Sequence, residues 1–441
     1  MFRFRGGIHP PASKELTQGK RIEDAPVPEV LAVPMVQHLG GPAKPRVSKG
    51  DEVKKGQLVG EASGFVSANV HAPVSGKVAG IEERPLYQGI EAPCVVIEKD
   101  GREEWADGAN VERDTSSLSP KEIVEAVFDA GVVGMGGAAF PTHVKLTVPD
   151  DARIDTVILN GAECEPYQTC DHRLMVESPG TIIEGLLLAM RAVGAESGAV
   201  GIEANKPDAV KAMSDAASSF GNVTVLSLPV RYPQGSEKQL IKALVGREVP
   251  PGKLPLHVGV VVQNVGTANA ICEAAAWKRP LIERVVTVTG DGVSRPGNYL
   301  TRMGESATEL LEHAGIRAGV RKLIAGGPMM GIAQRTAEFP MAKGVTSLLA
   351  LMDAKPSDWQ ACIRCGRCVE VCPMGLMPCD LSILIESRDY DGAEESNLQD
   401  CFECGCCTYV CPARRPVVQM VKLAKAELAK AKKRKQSAKT G

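Results

Sequence analysis

The chain has 441 residues, with 51 Lys and Arg against 53 Asp and Glu and a formal charge of −2. At roughly 150 residues per domain this length implies about three domains, and so balanced a charge excludes a protein whose main partner is nucleic acid. Apolar residues make up 44% of the sequence, but no stretch approaches the ~18–20 continuous apolar residues that span a bilayer, and the first residues carry no apolar leader core; a cytoplasmic chain with neither transmembrane segment nor signal peptide is expected.

Residues 1–29 include Gly6-Gly7-Ile8-His9-Pro10-Pro11, keep no sustained period, and read as an arm lying over other domains. Residues 30–115 begin with short β-type runs at 30–36, 57–61, 77–82 and 94–98, separated by Gly and Pro turns, the pattern of a small β barrel or sandwich. Within them, the run from Val47 to Val59 (Val-Ser-Lys-Gly-Asp-Glu-Val-Lys-Lys-Gly-Gln-Leu-Val), followed by His71-Ala72-Pro73-Val74-Ser75-Gly76, resembles the biotinyl/lipoyl carrier domain. The carrier's modified Lys would fall in the turn that here reads Ala62-Ser63-Gly64-Phe65-Val66. The resemblance therefore implies the fold without the swinging arm.

Between 116 and 283 helices and strands alternate. Ser119-Pro120-Lys121-Glu122 has the form of a capping box opening a helix over 120–130. Strands are predicted at 156–160, 199–203, 223–228 and 259–263, and helices at 179–193, 206–218, 236–245 and 267–278. That spacing predicts a Rossmann-like α/β domain with a largely parallel sheet, a natural place for a nucleotide-type cofactor. Residues 284–318 read as a strand (284–290), a turn (295–298) and a helix opened by Ser306-Ala307-Thr308-Glu309, a second capping box. This β plus α unit resembles the β-grasp module that binds soluble ligands (SLBB). Residues 319–355 are a connector holding Gly326-Gly327-Pro328-Met329-Met330-Gly331, expected to pack on the α/β domain.

Ten of the 14 cysteines lie between Cys362 and Cys411, a crowding that in a reducing compartment points to metal. Cys362, Cys365, Cys368 and Cys372, then Cys401, Cys404, Cys407 and Cys411, both show the two, two, three spacing followed by Pro that ligates [4Fe–4S] clusters in bacterial ferredoxins. Two tetrahedral zinc sites are the plainer alternative, and the repeated spacing argues against them. By the ferredoxin rule the fourth Cys of each run serves the other cluster. One site thus takes Cys362, Cys365, Cys368 and Cys411, and the other Cys401, Cys404, Cys407 and Cys372. Cys406 and Cys379 stand outside the pattern as free thiols. Residues 356–420 are accordingly a ferredoxin-like domain. A basic tail follows (421–441), with Lys422, Lys425, Lys430, Lys432, Lys433, Arg434, Lys435 and Lys439 against Glu427 alone; it is helix-prone at first and frayed at its end, either solvated or drawn to anionic headgroups or an acidic partner.

Gly131-Val132-Val133-Gly134-Met135-Gly136-Gly137-Ala138-Ala139-Phe140-Pro141-Thr142-His143-Val144-Lys145 would let backbone lie against a phosphate or an aromatic ring. The segments Asn160-Gly161-Ala162-Glu163-Cys164-Glu165-Pro166, Tyr232-Pro233-Gln234-Gly235-Ser236-Glu237 and Asn264-Val265-Gly266-Thr267 follow in order. Together they resemble the NADH- and FMN-binding subunit of respiratory complex I. With the lipoyl-like domain, the arm, the Gly-Gly-Pro-Met-Met-Gly segment and the two cysteine runs, nearly the whole chain resembles the RnfC family of Rnf electron-transport complexes.

The resemblance implies FMN bound non-covalently, NADH as substrate, and two [4Fe–4S] clusters. Hydride from NADH would be split into single electrons at the flavin, with no side chain needed as acid or base. It places Gly134, Gly136 and Gly137 along the flavin, and Phe140 and Lys145 beside nicotinamide and phosphates. Asn160, Glu163, Tyr232, Gly235, Asn264 and Thr267 fall at flavin positions, and Glu165 and Glu237 at pyridine-nucleotide positions. Departures from the complex I pattern are Met135 for Arg, Ala162 for an acid, Ser236 for Glu, and Val148 for a ring-stacking Phe. The implied partners are the Rnf membrane subunits and the iron–sulfur subunit, with ferredoxin reached through a partner, Na⁺ or H⁺ moved by other subunits, and a peripheral position on the cytoplasmic side of the membrane. Two alternatives stay open: a cobalamin-reducing flavo-iron–sulfur reductase of a bacterial microcompartment, and a non-catalytic iron–sulfur relay that has lost its flavin.

Overall fold

The computed structural model describes residues 3–354 and 358–440, with backbone alone from 436 onward. The chain divides into two compact units: 12–228 with 255–354, and 1–11 with 229–254 and 355–441.

The larger unit carries a β domain, an α/β domain and a β-grasp domain. The β domain is a barrel-sandwich: Val30–Pro34, Glu91–Lys99, Gly76–Pro85 and Glu52–Val53 form one sheet in that order, and Lys44–Pro45, Leu58–Glu61 and Val70–His71 another. Leu31, Val33, Val59, Val70, Val95 and Ile97 fill the space between them. The turn where a carrier lysine would stand is tied instead to the next domain, the Phe65 carbonyl lying 2.9 Å from His143 Nε2.

The α/β domain has a four-stranded parallel sheet in the order Val223–Leu228, Ser197–Glu203, Thr156–Gly161, Val260–Asn264. The chain runs outward from Thr156–Gly161 on one side and returns to its other side with Val260–Asn264. This places the topological switch point at the carboxyl ends of those two strands, where α/β folds bind ligands. The central strand is apolar on both faces, with Val157, Ile158 and Leu159 fully buried, as a sheet covered by helices requires. The helices match expectation closely. Pro120–Asp129 begins with the complete capping box, the Glu122 carboxylate accepting from Ser119 N–H at 2.8 Å. Ser306, however, caps its helix through Thr308 N–H alone (3.2 Å). Backbone on either side of it is already paired with Phe339 and Met341, and no reciprocal Glu309 bond occurs among the described residues.

The β-grasp domain is larger than its sequence suggests. Its six-stranded sheet runs Ile22–Asp24, Gly297–Arg302, Glu283–Thr289, Ser347–Leu351, Lys322–Ala325, Ile332–Gln334. The arm thus supplies an edge strand, and the supposed connector supplies three strands too short to show a period; Gly297 and Asn298 belong to a strand and not to a turn.

The smaller unit packs helices Pro378–Glu386, Tyr390–Glu395 and Val417–Thr440 around Leu381, Ile385, Ala393, Leu398, Val421 and Ala424. Arm residues pair here too: Gly7 N–H donates to Val371 O, and Ile8 exchanges backbone bonds with Tyr232. Segment 229–254, expected inside the α/β domain, groups with the cysteine loops. The expected frayed end and Lys439 involve side chains outside the described residues.

Candidate functional site

Asn160 and Asn264 are register partners at the ends of adjacent parallel strands. Asn264 caps the following helix, its Oδ1 accepting from Gly266 N–H (2.8 Å) and Thr267 N–H. Its Nδ2 donates to Asp171 Oδ2 at 2.7 Å. The glycine loop stands against this cap. Thr267, fully buried, accepts Met135 N–H on its hydroxyl at 2.9 Å, and Arg284 Nη2 donates to Met135 O at 3.1 Å. The Met135 side chain enters the core, as does the partly buried Val148. These two departures thus occupy packing positions. Gly136 and Gly137 are exposed, and a Cβ at Gly137 (φ +118°) would meet no atom within 4 Å. Phe140 O accepts from Gly134 N–H (2.8 Å), closing the loop, and Lys145 Nζ donates to Val262 O (3.1 Å).

Beyond Thr156–Gly161 the chain turns sharply, with Glu163 at φ +43°. Its Oε1 accepts Asp171 N–H at 2.7 Å, while Oε2 is buried with no hydrogen-bond partner, 3.6 Å from Lys14 Nζ. Lys14 itself is buried and donates to the carbonyls of Glu163 (2.8 Å), Glu165 (3.0 Å) and Gln168 (2.5 Å). Ala162 O accepts from the fully buried Lys206 at 2.7 Å, so the position that differs from the complex I pattern is held through its backbone. Burial, and next the charge of Glu163, push the Asp171 carboxyl above the usual range. Glu165 accepts from the Met329 (3.2 Å) and Met330 (2.7 Å) amides, which fixes the Gly-Gly-Pro-Met-Met-Gly loop on the α/β domain as expected. Burial raises its carboxyl to about 7 against those two donors.

Gly134, Gly136, Gly137, Phe140, Lys145, Asn160, Glu163, Glu165, Asn264 and Thr267 thus belong to the larger unit, most of them around one strand end. Tyr232, Gly235 and Glu237 belong to the smaller unit. Tyr232 is buried there, its hydroxyl donating to Cys404 O at 2.6 Å. Sequence reasoning passed over Lys14, Asp171 and Arg284. Nothing local marks a lysine in a polar arm, an acid on a short helix or an arginine in a strand as members of one buried group.

The cysteine loops repeat one backbone. Arg364 and Gly366 in the first, and Glu403 and Gly405 in the second, all have positive φ (+54°, +79°, +65°, +83°), which turns amides inward; Arg364 N–H reaches Cys362 Sγ at 3.4 Å. One cavity of about 390 Å³ is lined by Cys362, Cys365, Cys368, Cys411 and also Cys379. The other, about 430 Å³, is lined by Cys372, Cys401, Cys404, Cys407 and also Cys406. The crossed assignment made from spacing is the grouping the fold produces. Four thiols converging on each cavity fit a cubane cluster, and the orphaned Glu163 Oε2 beside an open glycine cradle fits a polar ring that donates a hydrogen bond.

Comparison with known proteins agrees domain by domain. Residues 2–102 match the RnfC barrel sandwich hybrid domain, 127–273 the Nuo51 FMN-binding domain, 285–333 the SLBB domain and 361–414 the 4Fe-4S dicluster domain. The class is therefore an FMN-binding, dicluster iron–sulfur protein whose cofactors are FMN and two [4Fe–4S] clusters. The chain is 48% identical to the RnfC-type subunit of the proton-translocating ferredoxin:NAD(+) oxidoreductase complex of Clostridium ljungdahlii, over 96% of this chain and 93% of that protein. It is 45% identical to the corresponding subunit of the Na(+)-translocating complex of Acetobacterium woodii (96% and 97%) and 43% identical to that of the ion-translocating oxidoreductase complex of Rhodobacter capsulatus (98% and 85%). The chain belongs to the family of these proteins, the RnfC family. Among solved structures, the NAD+-reducing [NiFe]-hydrogenase in its H2-reduced state has 18% identity and a TM-score of 0.49, covering 74% of this chain and 68% of that one. Among the described residues no helix is long and apolar enough to cross a membrane.

Proposed function

We propose that this chain is the NADH-interacting subunit of an ion-translocating ferredoxin:NAD(+) oxidoreductase complex, moving electrons between NADH and a ferredoxin reached through a partner. The observation that carries the reading is the glycine loop and the buried, incompletely satisfied Glu163 set together at the switch point of a parallel sheet. FMN supplies the conversion between two-electron hydride chemistry and the one-electron chemistry of [4Fe–4S] clusters. The protein's part is positioning. Thr267 and Arg284 fix the loop backbone, Asn264 and Asp171 fix the strand ends, and Lys14 holds the turn that presents Glu163. Glu165, raised to about 7 by burial, carries at neutral pH a charge sensitive to what binds beside it. Gly134, Gly136, Gly137, Asn160 and Glu163 are the proposed flavin neighbours. Glu165, Phe140 and Lys145 are proposed for the pyridine nucleotide, and Tyr232, Gly235 and Glu237 keep the roles that the family resemblance implies for them. The eight run cysteines bind the clusters in the crossed sets.

Membership of a family whose complexes translocate Na⁺ or H⁺ supports a peripheral place on the cytoplasmic face, with the membrane subunits and the iron–sulfur subunit as partners. Nothing in the site favours cobalamin as acceptor, and the complete glycine cradle argues against a relay without flavin. The test is anaerobic reconstitution with iron, sulfide and FMN, followed by mixing with NADH while flavin and cluster absorbance are recorded together. Joint bleaching is expected. Clusters that form while the flavin fails to bleach would sink the NADH assignment.

A further inference from the structure

We propose that the site of Cys362, Cys365, Cys368 and Cys411 is the chain's electron port, opening through a docking face of Ile363, Arg364 and Arg367 that fits another subunit of the same complex carrying a one-electron centre behind an acidic surface. The inference rests on the cofactor reading above and adds the direction in which the clusters face.

The two cysteine loops serve as internal controls for each other, because they share spacing and backbone conformation and differ in what surrounds them. Ile363 is 67% exposed, whereas its counterpart Phe402 is half-buried. Cys365 is exposed; its counterpart Cys404 is buried and has its carbonyl taken by Tyr232. Arg364 is exposed, while Glu403 is paired with Lys425 at 3.0 Å. Arg367 is exposed where Cys406 is fully buried. The first cavity is lined by Arg364, Arg367 and Arg415 and by no carboxylate; the second is lined by no charged side chain at all. Among the described residues no ion pair neutralises Arg364 or Arg367. An exposed aliphatic side chain ringed by unneutralised cations, directly over a redox site, is a surface that gains only when an acidic partner covers it. Electron-transfer contacts are small and transient, and opposite charge supplies their association rate. The second site lacks every one of these features and serves as the interior station.

The test uses the full-length chain loaded with both clusters and reduced photochemically by one-electron donation, so that NADH is not required. Its oxidation by acidic rubredoxin and by basic cytochrome c is followed by stopped flow at low and high salt. Each event removes one electron from the chain and converts the acceptor from ferric to ferrous. Rubredoxin should react faster than cytochrome c and slow with salt. Arg364→Glu with Arg367→Glu should cut the rubredoxin rate about ten-fold and remove its salt dependence, whereas Lys422→Glu on the distant tail helix should leave both unchanged. Glu at position 364 is compatible with the loop, because Glu403 occupies the equivalent positive-φ position. Unaltered rates and salt dependence in the double variant would overturn the proposal. So would a rate loss fully matched by a shift of cluster potential in an EPR titration, which would make the arginines tuning groups. Failure of the cofactor reading would show separately, as missing cluster EPR signals before any acceptor is added.

Discussion

Lys14 sets the geometry of the turn after the central strand almost by itself. Its buried ammonium holds three carbonyls and faces Glu163, so Lys14→Met would leave all four acceptors unmatched. Breaking a buried charged network from one side costs about 3–5 kcal/mol. A lowered Tm and weaker FMN retention, read by flavin fluorescence on dilution, are expected together; a stable variant that holds FMN as tightly as the parent would contradict the role. His71 gives a pH prediction. Burial, then the charge of Lys343, lowers its pKa from 6.5 to about 3. Below 6.5 the unfolded chain takes up a proton that the folded chain refuses. This group's contribution is therefore intact above 6.5 and is lost as pH falls towards 3, at ~1.4 kcal/mol per pH unit. The difference in denaturant stability between the parent and His71→Gln should thus change by about 2 kcal/mol from pH 7 to pH 5, the parent losing more. A constant difference would mean that His71 is not held neutral.

At the scale of elements, helices Pro179–Val193 and Val265–Trp277 cross at Gly185, where a Cβ would lie 1.8 Å from Ala268 O. The obstacle is backbone, so it cannot move without shifting the helix that carries Asn264 and Thr267. Gly185→Ala should cost roughly 3 kcal/mol by overpacking and also loosen the glycine loop. Gly180→Ala, near the start of the same helix with nothing within 4 Å of its Cβ position, should be neutral or slightly stabilising. Denaturant titration of the pair separates close approach from propensity, since equal effects would exclude the crossing as the cause.

For the whole molecule, the crossed cysteine sets predict which substitutions behave alike. Cys372→Ala should abolish the EPR signal that Cys401→Ala abolishes, and Cys411→Ala the one lost in Cys362→Ala, although each pair spans two different runs. Loss patterned by run would refute the crossing. The arm acts at the same scale, since its first residues pair within the smaller unit and Ile22–Asp24 completes the β-grasp sheet of the larger.

Sequence alone determined the cluster chemistry, because thiolate spacing within a run is a local property, and it determined the α/β layout, because long helices and apolar strands impose their periods over ten or more residues. The capping box at Ser119 and the missing carrier lysine were equally legible. Tertiary structure decided what depends on distant segments. It set the three short strands recruited into the β-grasp sheet, the grouping of residues 229–254 with the cysteine loops, and the placing of Lys14, Asp171 and Arg284 in one buried group around Glu163. It also decided which of two near-identical cysteine loops faces solvent. Strands of three to five residues carry too little pattern to declare themselves, and burial of a charge is a property of the whole neighbourhood, which no window of sequence contains.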